Sequence, residues 1–255
     1  MVGDPERRRA DPPVQVGLSI SSHNTTLAEN SGSSAIIHSV LAHLLAPVND
    51  RAARALGLPC RLPGADGVAL TFDDGPHPEG TPAVLEVLAR AGARATFFVI
   101  GEQARRWPQL VAETTAAGHE VALHGFRHRL QLRMTPGEVR DDIARGLAAI
   151  EDTVGVRPAW HRPPYGIYSP TGLRAVHSAG LAPLLWSRWG KDWRRLTTPA
   201  RIARRALHGV LPGDVILLHD ADFYSARDSH HRTAAALTEI TSELERRKLG
   251  TVLPV

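Results

Sequence analysis

Two adjacent carboxylates, Asp73 and Asp74, follow the apolar run Val68-Ala69-Leu70 and precede Gly75-Pro76. On a strand, neighbouring side chains point to opposite faces, but where the chain turns at the strand's end both can reach one site. Two anions so close repel unless a cation lies between them or they share a proton. The economical assignment gives one aspartate to a metal ion and the other to base chemistry. A plain turn is the alternative, because Asp, Gly and Pro all favour turns. A second cluster, His124-Gly125-Phe126-Arg127-His128, also follows an apolar run, Val121-Ala122-Leu123. Histidines four apart can share a metal ion, although a chain with thirteen histidines also produces such pairs by chance. One Asp and two His would make three protein ligands with a position open for water, which distinguishes a catalytic metal site from a closed structural one.

Three later segments carry further polar groups: Arg162-Pro163-Pro164-Tyr165-Gly166, Lys191-Asp192-Trp193 and Leu217-Leu218-His219-Asp220. Each alone has a structural reading, as an extended entry to a turn, an uninformative pair, or a buried strand with a polar end. Taken in order, from Thr71 to Asp220, the five segments resemble the motifs of the polysaccharide deacetylase family, the family-four carbohydrate esterases with a NodB homology domain. The resemblance spans roughly the last three-quarters of the chain.

This resemblance implies a role for each matching position. Asp74, His124 and His128 would bind the metal. Asp73 would be the general base, paired with Arg162. Tyr165, mainly through its backbone N–H, would help bind the oxyanion. His219 would be the general acid, oriented by Asp192. Trp193 and Leu217 would line the pocket for the acetyl methyl, with Pro164 and Trp189 as further substrate-binding positions. Two departures stand out. Gly125 replaces a Ser or Thr often found after the first metal His, and Trp189 stands where an earlier Asp is usual.

The implied reaction is removal of N-acetyl groups from amino sugars of a polysaccharide or oligosaccharide. An amide is a poor electrophile and an amine a poor leaving group. Hydrolysis therefore needs a divalent metal to polarise the carbonyl and activate water, a base for the water proton, and an acid for the departing nitrogen. Imidazole suits the last task because its unperturbed pKa is about 6.5. Zinc fits the N/O ligand set, and cobalt, nickel or manganese could serve the same geometry. Alternatives within the class are an O-acetyl ester or a small N-acylated metabolite as substrate. An alternative of another class is a carbohydrate-binding protein without catalysis. A binder needs neither Asp73 nor His219, so their joint presence counts against it. Trp186, Trp189 and Trp193 read equally as core packing or as a sugar platform. His230 and His231 lie outside the motifs and are expected at the surface.

A strand–helix cadence must position these groups. Helices are expected from Thr81-Pro82 to Ala91-Gly92, over Pro108 to Ala117, from a Thr135–Glu138 capping box through Ile150, from Ser169-Pro170 to Gly180, from Thr198-Pro199, and around Thr233 to Arg247. Extended runs are expected at Val68–Leu70, Ala95–Ile100, Glu120–Leu123, Trp160, Leu181–Trp186, Val215–Leu218 and Thr251–Leu253. Such units in series mean parallel strands with right-handed crossovers. The expected fold is α/β, a distorted or incomplete (β/α) barrel of about seven parallel strands. The site candidates sit at or just after C-terminal strand ends, which converge on one mouth of such a barrel.

The length of 255 residues, 43% apolar and 22% charged, suits one soluble domain with an extension. Residues 1–65 read as an N-terminal extension, partly disordered, with one amphipathic helix at Ala35–Val48 that is too short and polar to span a bilayer. Residues 66–255 read as the deacetylase domain. Cys60 is the only cysteine, so no internal disulfide forms. The net charge of +4 rests almost wholly on arginine, because Lys191 and Lys248 are the only lysines. A basic surface of this kind can hold anionic cell-wall polymers. No basic stripe with interleaved aromatics argues for nucleic acid. No signal peptide is visible, which points to the cytoplasm, or to an extracellular site if the natural N-terminus differs.

Overall fold

The computed structural model describes Ala53 and residues 57–254, so the helix expected at 35–48 lies outside the described residues. Among the described residues seven parallel strands form one sheet in the order β5-β4-β3-β2-β1-β7-β6. They are β1 (Ala69–Asp73), β2 (Ala95–Val99), β3 (Glu120–Leu123), β4 (Trp160–His161), β5 (Ala182–Pro183), β6 (Arg188–Trp189) and β7 (Val215–His219). The edge strands β5 and β6 are successive in the chain but do not pair. The sheet therefore curls into an incomplete barrel that is open between them.

Among the described residues seven α-helices connect or cover the strands: α1 (Gly80–Arg90), α2 (Gly101–Arg106), α3 (Pro108–Ala116), α4 (Pro136–Val154), α5 (Pro170–Ser178), α6 (Pro199–Ala206) and α7 (Ser229–Arg246). Among the described residues no helix is long and apolar enough to cross a membrane. Three starts follow their sequence signals. Thr135 and Glu138 close a reciprocal capping box, Ser169 accepts from the Gly172 N–H, and Thr198 accepts from the Arg201 N–H. Pro stands at the first helical position in each case, where its missing N–H costs nothing.

Period two divides the strands between two environments. Leu70, Phe72, Phe97, Val99, Ile216 and Leu218 face the outer helices and form the main core. Ala69, Phe98, Ala122 and Val215 face the barrel interior with Leu184. Both faces are covered, as expected for parallel strands. By the same alternation Asp73 shares the inner face with Ala69 and Thr71, and His219 shares it with Val215 and Leu217. Asp73 and His219 are register partners on adjacent strands. The fold thus puts two groups 146 positions apart in sequence side by side at the barrel mouth.

Several expected boundaries move. The run Leu181–Trp186 yields only the two-residue β5, while β6 and α2 had no sequence signal. α1 begins at Gly80, with Glu79 at the N-cap and no side-chain cap bond. Thr81 is not the cap because tertiary partners claim its hydroxyl. It accepts from the His77 N–H and donates to the Asp220 carboxylate. α7 starts at Ser229, four residues before the expected Thr233, because Thr233 is inside the helix and buried.

Candidate active site

β1 ends at Asp73, and Asp74 adopts a positive φ of 82°. That left-handed step breaks the strand alternation and lets both carboxylates enter one cleft. Asp tolerates this region better than most residues. Gly75 follows, and a Cβ there would collide with the Asp220 carboxylate. Tyr165 (φ 63°) and Lys191 (φ 54°) are strained in the same way beside the site. Such strain persists only where the surroundings over-determine it, and it concentrates at functional sites.

The Asp74 carboxylate is buried between two imidazoles. Its Oδ1 lies 3.3 Å from His128 Nε2 and 3.5 Å from His124 Nε2. That oxygen makes no hydrogen bond, although it is buried. Burial alone would raise the Asp74 pKa, but His128, His124 and His219 together hold it well below the usual carboxylate range. His124 Nδ1 lies 2.8 Å from the Arg162 carbonyl, so it carries the proton and donates there. This tautomer leaves the Nε2 lone pair facing Asp74. The three ligand atoms lie within 4.8 Å of one another. An orphaned buried carboxylate oxygen facing imidazole Nε2 atoms is a donor set that fits a divalent cation of zinc type.

Asp73 is held from behind. Arg162 Nη1 donates to Asp73 Oδ1 at 2.7 Å and to the Thr71 hydroxyl at 2.9 Å. Its other nitrogens donate to the carbonyls of Leu184 and Leu185, and its guanidinium lies 3.9 Å from the Phe98 ring centroid. Arg162 is fully buried, and its burial lowers the guanidinium pKa against the opposing pull of Asp73. On the other side, His219 Nδ1 donates to Asp192 Oδ1 at 2.9 Å. The second Asp192 oxygen accepts from the His219 N–H and the Thr233 hydroxyl. Burial disfavours the His219 cation, but Asp192, Asp74 and Asp73 outweigh it and raise its pKa to about 10.

The sign of that shift gives a pH prediction. A folded pKa above the ordinary 6.5 means the bridge stabilises fully below that pH and is lost as pH rises through about 10. A cation on Asp74 removes part of the carboxylate contribution, so the alkaline limb of the loaded enzyme lies between those values. Asp192→Asn removes the largest raising influence, and the alkaline limb of the pH–rate profile then moves to lower pH. An unmoved limb contradicts the pairing.

Asp73, Asp74, His124, His128, Tyr165, Trp186, Trp189, Trp193, Leu217 and His219 all line one cleft. Arg162 and Asp192 stand behind it, fully buried. Pro164 is buried and is not among the lining residues, with its Cδ turned toward Gly125. The three tryptophans are each partly exposed and form a chain of ring contacts, with centroids 5.9 Å and 5.1 Å apart. Trp186 also packs on the inner core cluster, so packing and wall roles coexist.

Sequence reasoning missed several contributors. Tyr224 stacks on His128 at 4.2 Å and 10°, and with Ser225 completes the cleft lining. No local signal marked these loop residues. Asp142 on α4 accepts the N–H groups of Phe126 and Arg127, which fixes the turn between the two histidines. The carbonyls of Gly125 and Phe126 accept from Gly101 and Glu102 at the start of α2. This bracing accounts for Gly125. It holds φ 91°, and a Cβ there would sit 2.9 Å from Asp142 Oδ2. Gly125→Ser is expected to lower unfolding free energy by about 1–3 kcal/mol in chemical denaturation.

His230, expected at the surface, is buried. It is only 3% exposed, packed 4.4 Å from the His77 ring with its Nδ1 3.5 Å from Asp222, whereas His231 is exposed as expected. His77 Nδ1 accepts from the Glu79 and Gly80 N–H groups and caps α1 from outside the helix. Its Nε2 therefore keeps the proton and lies 3.3 Å from Asp222 Oδ1. Burial first, then the neighbouring His230, lowers the His77 pKa.

Comparison with known proteins shows the family. The polysaccharide deacetylase family model matches residues 62–184. A chitooligosaccharide deacetylase of Bradyrhizobium sp. (strain ANU 289) is 39% identical over 191 residues, 72% of this chain and 87% of that protein. A peptidoglycan-N-acetylglucosamine deacetylase of Bacillus cereus is 34% identical over 181 residues, 70% of this chain and 82% of that protein. A family 4 carbohydrate esterase from Streptomyces lividans, solved with acetate, superposes with a TM-score of 0.66 and 31% identity over 74% of this chain and 94% of that one. The Bc1960 peptidoglycan N-acetylglucosamine deacetylase superposes with a TM-score of 0.71 and 28% identity over 76% of this chain and 89% of that one. With such identity across most of both chains, the protein belongs to the polysaccharide deacetylase family and is a hydrolase of the deacetylase class.

Proposed function

We propose that this protein removes N-acetyl groups from the amino sugars of a glycan, using a divalent cation held by Asp74, His124 and His128. The observation that carries this reading is the orphaned Asp74 Oδ1, buried beside the Nε2 atoms of both histidines. Isolated buried carboxylate oxygens are costly, and a cation is the partner this donor set lacks. When bound there, a divalent cation supplies Lewis acidity and makes water nucleophilic near neutral pH.

The chain's own groups do the remaining work. Asp73 accepts the proton of the attacking water, while Arg162 donates to its other oxygen and fixes its orientation. His219 faces Asp73 in strand register and gives its proton to the departing nitrogen. Asp192 fixes the donating tautomer by occupying Nδ1. Tyr165, held at positive φ on the cleft lining, is the candidate for backbone stabilisation of the oxyanion. Leu217 and Trp193 enclose the acetyl methyl, and Trp189 offers a face to the sugar. The acetate bound in the Streptomyces esterase is the acid that this reaction releases.

Zinc is the preferred ion on donor chemistry, with cobalt, nickel and manganese as workable substitutes. The domain is proposed to run from 66 to 255, with 1–65 as an extension. The stretch before that boundary already docks on the barrel, through Leu62 N–H to Gly213 and Leu185 N–H to Pro59.

The test is acetate release from N-acetylated chitin oligomers, peptidoglycan fragments and acetylated xylan, with and without a chelator. Chelator-sensitive release from the N-acetylated glycans is expected. Metal binding with no release from any substrate would favour a binding protein, and release from xylan alone would favour an ester substrate.

A further inference from the structure

A basic surface adjoins the cleft, and the catalytic machinery does not use it. Lys191, Arg194, Arg195, Arg201, Arg204 and Arg205 fall within fifteen residues in which Asp192 is the only acid. Asp192 is buried and taken by His219. Among the described residues none of the six cations forms an ion pair, whereas nearby Arg188 is bound to Asp214. The whole chain carries +4 with these six and would carry −2 without them. The six thus exceed the chain's whole net excess of four positive charges.

Five of the six belong to one surface, and Arg195 is the exposed chain neighbour of Arg194. Lys191 is close enough to Arg194 and Arg205 to feel their charge, and Arg205 feels Arg194, Arg201 and Arg204. Arg201, Arg204 and Arg205 have the i, i+3, i+4 spacing that shares a helix face. The last-turn residues Arg204 and Arg205 gain from the α6 dipole, but that does not account for Lys191, Arg194 or Arg201. Like charges kept together without counter-ions repel one another, and an anionic ligand relieves that repulsion. Leu196, 85% exposed, stands among them as an apolar contact.

Position selects the ligand. The Lys191 Nζ lies 4.4 Å from the Trp189 ring centroid, and Trp189 lines the active cleft. A glycan strand with one residue in the cleft would continue across Lys191 toward Arg194 and α6. We propose that this patch is an extended subsite for glycans whose sugars carry carboxylates, so that the enzyme prefers an acidic N-acetylated glycan to a neutral one. The proposal rests on the deacetylase reading above and names its substrate class.

The experiment compares the full-length wild type with the variant Arg194→Gln/Arg195→Gln/Arg201→Gln. All three side chains are exposed, and none touches the catalytic groups. Substrates are carboxylate-bearing peptidoglycan glycan strands and neutral chitin oligomers of equal length, each at several salt concentrations. The variant is expected to lose about tenfold or more in kcat/KM on the acidic strands, mainly through KM, and to flatten the salt dependence. Its kinetics on chitin oligomers stay unchanged. Equal losses on both substrates, or no loss on the acidic one, would overturn the proposal. So would preferred retention of a phosphate polymer or nucleic acid, abolished by the same substitutions, with acidic-glycan kinetics intact. Absence of acetate release by the wild type from every substrate would instead sink the deacetylase reading.

Discussion

Asp73→Asn is expected to lower kcat on an N-acetylated glycan by about 10²–10⁴-fold, the range for loss of a positioned general base, while bound metal stays at the wild-type level. The separation follows from geometry. Asp74, not Asp73, supplies the oxygen between the two histidines, and the ligand-facing tautomer of His124 is set by the Arg162 carbonyl. Asn is nearly isosteric but cannot accept the proton. It also leaves the buried Arg162 without its carboxylate. Breaking such a pair costs about 3–5 kcal/mol at most sites, an upper figure here because Thr71, Leu184 and Leu185 still accept from the guanidinium. Turnover and metal content are therefore measured well below the melting temperature. Wild-type turnover, or loss of the metal, contradicts the division of labour between the two aspartates.

His219→Ala is expected to separate substrates by leaving group. On N-acetyl glycans the departing amine needs a proton, so the loss is about 10²–10⁴-fold. On an aryl acetate the leaving phenolate departs unprotonated, and the loss is much smaller. The pairing with Asp192 raises the His219 pKa and so favours the protonated donor at neutral pH. The Asp192 carboxylate left behind keeps the Thr233 hydroxyl and a backbone N–H, which limits structural damage. Equal losses on amide and ester would assign His219 to some role other than proton donation.

Much of this site was legible in the sequence because its key residues stand at strand ends, where fold and chemistry leave a joint signal. The apolar runs before Asp73, His124 and His219 marked β1, β3 and β7, and the helix caps at Thr135, Ser169 and Thr198 marked the crossovers. Residues whose meaning depends on a distant partner were not legible. Thr81 looks like a helix cap until Asp220 claims its hydroxyl. Asp142 looks like an ordinary helix-surface acid until the Phe126–Arg127 turn packs against it. Tyr224 belongs to a loop whose aromatic doublet carries no spacing signal, and His230 becomes buried only when α7 starts a turn early beside His77. The short edge strand β6 also escaped, since a two-residue run has no period to detect. Gly125 reads in sequence as a missing hydroxyl, whereas the structure gives its reason as a positive φ against Asp142.

The proposed mechanism requires one ion shared by Asp74, His124 and His128. Anomalous scattering at the zinc edge from crystals grown with zinc tests it without reference to activity. A peak is expected about 2.0–2.2 Å from Asp74 Oδ1 and from Nε2 of both histidines. A saturated crystal with ions only on other residues, and none within bonding distance of these three atoms, would contradict it.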